Sequence, residues 1–340
     1  MKSPVLASIA ILLSAAVSST ALADGRKPGS MLTFPVHRSG PGKFTIVSVT
    51  NTNTTPATPV SLGGSTNLHF EYYNVVPDMV QGYDGLVAGN PFVPAGCIVF
   101  DRVEFVTPAD TLSVLTSCHN PTFPGGQEGY VVVTAQNPAV YDQNWSFNRL
   151  IGSACVINAS GTMYSVNAFS SRSVFVEGAP IADGQGLTKL QTGAYELLPR
   201  VLMIDSFMAL NASQLALISA TPQDHYLRDI YLSVWNDNEF PMSATLQFRC
   251  WFDQPLTRVS PLFSESFLLS TSHDPSELDI NCDGIGDIET GWATIRTRRI
   301  SLPGGQSVDQ GDLGMIGAIT AGNSTVVEGG RLLWEARIPI

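Results

Sequence analysis

Charge is scarce in this chain. Only 14% of its 340 residues are charged, and lysine supplies just four of the 18 basic side chains. Disordered chains combine many charges with few apolar residues, and the 44% hydrophobic content here excludes that class. The 29 acidic residues leave a formal charge of −11, so the chain lacks the basic face that nucleic-acid phosphates require. Helical periodicity is nearly missing. Beyond the N-terminal segment, no stretch matches the roughly 20 apolar residues of a membrane-spanning helix. Several chemical signatures are missing too. There is no Gly-x-Ser-x-Gly elbow, no His-Glu-x-x-His or Cys-x-x-Cys pair, and no phosphate-cradling glycine loop between a strand and a helix.

The N-terminus reads as an address. Lys2 is followed by an apolar run from Val5 to Val17, and then by Ala21-Leu22-Ala23, the small-x-small pattern of a cleavage site. Residues 1–23 are therefore expected to be a signal peptide removed after Ala23. The product is exported (extracellular, cell surface or periplasmic) with no membrane span in the mature chain.

What is abundant is strand pattern. In Leu68-His69-Phe70-Glu71-Tyr72 the apolar residues share one face, while His69 and Glu71 take the other. In Thr245 to Phe252, Leu246, Phe248, Cys250 and Phe252 share a face, which turns Trp251 outward. Weak matches recur in order along the chain. Ile46–Thr50 matches Leu217–Thr221, His69–Asn74 matches Ser233–Asn238, and Phe100-Asp101 matches Phe252-Asp253. Thr111–Pro121 matches Ser266–Pro275, Gly129-Tyr130 matches Gly291-Trp292, and Leu150–Gly152 matches Met315–Gly317. The expected fold is all-β: two tandem antiparallel β-sandwich domains from an internal duplication, at 24–180 and 195–340, joined by a linker at 181–194.

The run Cys97 to Phe105, then Thr107 to Thr111 and His119-Asn120-Pro121, resembles a family of uncharacterised secreted bacterial proteins. His273-Asp274-Pro275 and Glu289-Thr290-Gly291-Trp292 carry the same resemblance in the second half. It implies secretion and duplication, and brings no activity with it.

Five cysteines in an exported chain tend to pair and leave one over. A hairpin through Thr107–Asp110 would bring Cys97 opposite Cys118. The similar layout of the second half points to Cys250–Cys282, leaving Cys155 as a free buried thiol. Connectivity is not fixed by sequence, and reduced core thiols are the alternative.

The acidic loop 274–289 holds six acidic residues and no basic one. Asp279, Asn281 and Asp283 stand at positions 1, 3 and 5 of a tight coil, with Gly284 at the turn. The Ile285 carbonyl and Asp287 follow at positions 7 and 9, with Glu289 at position 11. An EF-hand needs a glutamate at position 12, where Thr290 stands instead. The spacing resembles thrombospondin type 3-like loops, so these residues are the expected calcium site. A solvated acidic insertion is the alternative. His119 and His273 read as turns ending strands rather than as catalytic groups.

The chain is thus expected to be a secreted, non-catalytic surface or matrix protein of structural or binding type. One alternative is a calcium-dependent carbohydrate-binding protein using Trp251 or Trp292, its partner an extracellular polysaccharide or cell-surface component. A secreted hydrolase using Asp101, Glu104 or Asp253 is the other.

Overall fold

Runs of β-branched and aromatic residues separated by Gly, Pro and Asn give strands almost throughout. The computed structural model describes residues 27–76, 96–120, 127–158, 163–182, 186–208, 213–220, 227–236, 239–268, 282–283, 289–301, 307–308, 314–321, 329–332 and 334–335. The first half holds β1 (Met31–Ser39), β2 (Lys43–Asn51), β3 (Thr66–Val76), β4 (Gly96–Val106) and β5 (Thr111–Leu115). After the short α1 (Thr116–His119) come β6 (Gln127–Gln136), β7 (Leu150–Asn158), β8 (Met163–Asn167) and β9 (Phe169–Ser171). The second half holds β10 (Val201–Met208), β11 (Ser213–Ser219), β12 (Leu227–Asn236), β13 (Pro241–Phe248) and β14 (Trp251–Pro255). Two short helices follow, α2 (Leu256–Val259) and α3 (Glu265–Leu268). The half closes with β15 (Thr290–Ser301), β16 (Ser307–Val308), β17 (Met315–Ala321), β18 (Gly329–Leu332) and β19 (Trp334–Glu335).

Among the described residues these strands form four antiparallel sheets. The first half pairs a sheet ordered β4-β3-β6-β1-β9 with one ordered β5-β2-β7-β8. The second half repeats the plan as β13-β12-β15-β10-β19, with β16 added on β15, and β14-β11-β17-β18. The irregularities repeat as well. β1 bulges between Phe34 and His37, placing His37 opposite Gly129. β10 bulges between Ile204 and Phe207, placing Phe207 opposite Gly291. Both glycines lie so close to a neighbouring strand that a side chain would strike the carbonyl of Tyr73 or Trp235. Across those strands Tyr73 stacks on Tyr130 at 4.5 Å, and Trp235 stacks on Trp292 at 4.0 Å. α1 follows β5 directly as α2 follows β14, each closed by the next backbone N–H.

Pairing therefore corrects several sequence matches. Phe100 lies on β4 against β3, whereas Phe252 lies on β14 against β11, in the other kind of sheet. The counterpart of β4 is β13, and that of Thr111–His119 is Trp251–Val259, not Ser266–Pro275. Asn74 faces Gly129 as Asn236 faces Gly291, so His69–Asn74 answers to Tyr231–Asn236. These strand ends are similar in composition, and composition does not carry register.

Each pair of sheets buries an apolar layer. Leu32, Phe34, Phe70 and Val133 meet Val47, Val49 and Ala154 in the first. Ile204, Leu232 and Ala293 meet Leu217, Phe252 and Ile319 in the second. A third cluster spans the halves, with Met31, Tyr73 and Tyr130 packed with Leu187, Leu190, Tyr195, Ile218, Trp251 and Ile316.

The segment 181–194 is thus no free linker. Its 3-10 helix, Gly186–Thr192, lies on the outer face of the first five-stranded sheet. Gly186, at φ +46, sits where any side chain would strike the Tyr73 hydroxyl. Lys189 Nζ reaches Glu71 Oε2 at 2.7 Å and Thr134 Oγ1 at 3.0 Å, and the Gly186 N–H donates to Glu71 Oε1 at 2.6 Å. Glu71 was expected to face water. It is fully buried because this segment covers its face.

Cysteine pairing also departs from expectation. Cys97 bonds to Cys250 across a sequence separation of 153, in place of the Cys97–Cys118 and Cys250–Cys282 bridges. On β4, Cys97 sits with Val75 and Val99 against the shared cluster, turned away from α1. Cys250 occupies a left-handed turn, φ +49, that ends β13 and starts β14 beside the first half. That turn splits the expected single strand Thr245–Phe252 and buries Trp251. Cys118, Cys155 and Cys282 are free; Cys155 was expected to be free and buried, and it is half-buried.

Candidate functional site

Proline within a strand removes a ladder donor and marks a bulge or an edge. Pro35 does so in β1. Leu32 and Phe34 face the sandwich interior; without a bulge, His37 would share the opposite face with Met31 and Thr33. The extra residue between Phe34 and His37 shifts the parity and turns His37 inward. There its ring meets the edge of Tyr72 at 5.7 Å. Tyr72 follows Leu68 and Phe70 on the inner face of β3, opposite Phe100.

Tyr72 is hydrogen-bonded to His119 Nδ1 at 2.7 Å, and His119 Nε2 lies 3.1 Å from Glu104 Oε1. A carboxylate only accepts, so Nε2 carries the proton and Nδ1 accepts from the phenol. Phe70 packs edge-on to the same histidine at 4.8 Å. Beside this chain, Asn120 Nδ2 donates to Asn74 Oδ1 at 2.8 Å and to Gln127 Oε1 at 2.7 Å. His37 lies next to Asn74 and the Tyr73 backbone, with neither ring nitrogen in hydrogen-bond geometry among the described residues. Thr116 Oγ1 and Gln127 Nε2 are buried without a partner there too.

The second half shows what this place requires structurally. By the strand pairings, His37, Tyr72 and Glu104 correspond to Phe207, Val234 and Leu246. Along α1 and α2, Thr116 and His119 correspond to Leu256 and Val259. Phe207 packs on Phe263 at 5.0 Å. An apolar filling suffices for the fold, so the polar filling of the first half is the better candidate for a dedicated role. Burial lowers the His37 pKa from 6.5 to about 4, against the opposing pull of Glu128. Burial also lowers His119, although Glu104 pulls the other way, and burial raises the Tyr72 phenol. The cluster is a proton-sharing chain running from a buried phenol to the Glu104 side chain, which is 38% exposed.

The residues singled out from sequence are dispersed. Asp101 is half-exposed beside His69 at 3.7 Å. It shares the face of Glu71, opposite to that of Glu104. Asp253 is buried between the halves against Arg38, which also reaches Gln214 Oε1 at 2.7 Å. Burial works against the Arg38 charge, but Asp253, Tyr164 and Glu128 outweigh it and hold the guanidinium above its ordinary pKa. The three carboxylates proposed for hydrolysis therefore do not face one another. Trp251 is buried and its Nε1 donates to the Pro35 carbonyl at 2.8 Å, so it offers no ring to a ligand. Trp292 is 38% exposed.

Of the calcium candidates, Asp279, Asn281, Ile285 and Asp287 lie outside the described residues, as do the signal peptide, His273 and most of the loop 274–289. Asp283 is exposed, and Glu289 is buried just before β15, at the position corresponding to Gln127. Among the described residues, no helix is long and apolar enough to cross a membrane. No family model matches the sequence, and no curated protein matches it significantly.

Proposed function

We propose that this chain is an exported, non-catalytic protein of structural or binding type that works in an oxidising compartment. The observation that carries the reading is the Cys97–Cys250 bond, which ties an outer strand of one sandwich to a turn of the other. Such bonds persist where thiols are kept oxidised. The N-terminal apolar run and its Ala21-Leu22-Ala23 site point the same way. Expression of the full chain with its own N-terminus, followed by cell fractionation and intact mass, tests the proposal. The expected product starts at Asp24, lies outside the cytoplasm and resists alkylation at two cysteines. A cytoplasmic product with all five cysteines alkylated would overturn it.

The acidic loop adds a calcium staple to this reading. Asp279, Asn281, Asp283, the Ile285 carbonyl and Asp287 are hard oxygen donors at calcium-loop spacing. A left-handed Cys282, φ +61, supports a tight coil at the centre of the loop. Glu289, buried at the foot of β15, would join only if the loop folded back onto the sandwich. At tenfold excess over its dissociation constant, the ion would stabilise the fold by about 1.4 kcal/mol. Calcium should raise the melting temperature, EDTA should reverse the rise, and Asp283→Ala should abolish both. A melting temperature indifferent to millimolar calcium would leave the loop as a solvated insertion.

A further inference from the structure

The outer faces of the two five-stranded sheets are built alike and used differently. On the first, the stacked pair Tyr73 and Tyr130 is buried under Gly186–Thr192 and the residues after it. On the second, the corresponding pair is uncovered on one side: Trp292 is exposed and Trp235 half-buried. The register lays out the rest of that face. Trp235 stands opposite Trp292, Ser233 opposite Thr294, and Tyr231 opposite Arg296. Ser243 and Thr245 extend the hydroxyl rows onto β13. Aromatic rings at Trp235 and Tyr231 thus lie four residues apart, roughly 14 Å along the strand, with the Ser233 and Ser243 hydroxyls between them and Thr294 buried beside Ser233. The Arg296 guanidinium sits over the Tyr231 ring at 5.3 Å.

Arginine leads the charge on this face, with one exposed acid among the described residues, Asp205, at the β10 bulge opposite Trp292. The chain carries −11, yet Arg296 and Arg298 are both exposed here, and neither makes an ion pair among the described residues. The acidic Asp229 at the far end is buried and accepts from Gln247 Nε2 at 2.6 Å. An apolar peptide would gain little from such a surface, and nucleic acid would be repelled by the remainder of the chain. A strip of aromatic rings, hydroxyls and guanidinium groups along a sheet face matches a chain of sugar rings bearing carboxylates.

We infer that the open face of the second five-stranded sheet, centred on Trp235, Trp292, Tyr231 and Arg296, binds an acidic polysaccharide. The inference rests on the exported, binding-type reading above and names its ligand class. Rings stack on the sugar faces, the Ser233, Ser243 and Thr245 hydroxyls bond the sugar hydroxyls, and Arg296 and Arg298 hold the carboxylates.

Affinity electrophoresis of the full oxidised chain in gels containing polygalacturonate, with dextran as the neutral control, tests the inference. Retardation is expected in polygalacturonate only, and it should weaken as salt rises. Trp292→Ala should weaken binding about tenfold, as loss of a central aromatic anchor does. Arg296→Gln with Arg298→Gln should do so at least as strongly, and these surface changes leave the Trp235–Trp292 stack in place to keep the sheet folded. Equal retardation by dextran, or none by either polymer, would overturn the inference. So would a dimer in sedimentation that Trp292→Ala dissolves without any polysaccharide binding, which would make the face a contact between copies. Export and the Cys97–Cys250 bond would stand in each of those cases, so failure here is separable from failure of the functional proposal.

Discussion

Replacing His37 with phenylalanine puts into the first sandwich what the second already holds at Phe207, so the perturbation has a precedent in the same molecule. The ring is fully buried, and burial lowers its pKa from 6.5 to about 4. In the unfolded chain it titrates near 6.5. Between those values the unfolded state takes up a proton that the folded state refuses. Stability therefore rises with pH across this window. The contribution is fully present above about pH 6.5 and is lost as pH falls towards 4, an effect of roughly 3 kcal/mol at full extent. His119 is lowered as well and acts with the same sign. Urea unfolding at pH 7.5 and 4.5, at one ionic strength, measures the effect. Carboxylates titrate in the same window, so the informative quantity is wild type minus His37→Phe. The variant should match or exceed wild type at pH 7.5, since it removes two buried ring nitrogens outside hydrogen-bond geometry with any of the described residues. At pH 4.5 it should be the more stable by about 2–3 kcal/mol. Identical pH dependence in the two proteins would refute the buried neutral histidine.

The remaining predictions concern what ties the halves together. Closing a loop of sequence separation 153 is worth up to about 5 kcal/mol of unfolded-state entropy, so Cys97→Ala with Cys250→Ala should lower stability by a good part of that. A non-reducing peptide map that returned Cys97 joined to Cys118 would contradict the bond itself. Lys189→Met leaves the Glu71 carboxylate buried without its cation and should cost about 3–5 kcal/mol. Adding Glu71→Gln should recover much of the loss by thermal melting, and an additive double variant would show that the two side chains do not act as a pair.

Much of the fold was legible in period-two alternation, because strands with one wet face have no other way to sort their side chains. Leu68, Phe70 and Tyr72 do line an interior. The sequence misled wherever a face was covered by something distant. Glu71 and Trp251 read as outward because each alternates with apolar neighbours, yet both lie against the other half or the segment that joins it. Cys97–Cys250 was illegible for the same reason, since no hairpin links those residues. Of the polar cluster, the sequence marks His119 and Glu104 separately, the one as a turn and the other as a carboxylate of the hydrolase alternative. Their meeting depends on α1 closing over β3 and β4, which spacing does not reveal. His37 was missed, although Pro35 inside a strand pattern was the available signal for the bulge that turns it inward. The metal candidates fall mostly outside the described residues.

Two similar strand plans in tandem invite the expectation that either half would fold alone, and the packing argues otherwise. Cut between the halves, residues 195–340 would bare Ile218, Trp251 and Ile316, which are now at most 5% exposed in the shared cluster. Burying a large apolar side chain is worth roughly 1.5–3 kcal/mol, so these three alone represent about 5–9 kcal/mol. That is comparable with the whole stability of a typical domain, about 5–15 kcal/mol. The same cut removes the disulfide and takes Arg38 away from Asp253. Trp251 Nε1 loses the Pro35 carbonyl as well. None of these losses is made good within the second half, because its own interior is already filled by Phe207, Leu217 and Phe252. The fragment 195–340, produced alone, should therefore melt without cooperativity or aggregate, while the full chain unfolds in one transition. The measurement is calorimetry on both, alongside a sedimentation run to detect association. A monomeric fragment with a sharp transition near that of the full chain would show that the shared cluster is an incidental contact, and the halves would then be independent units after all.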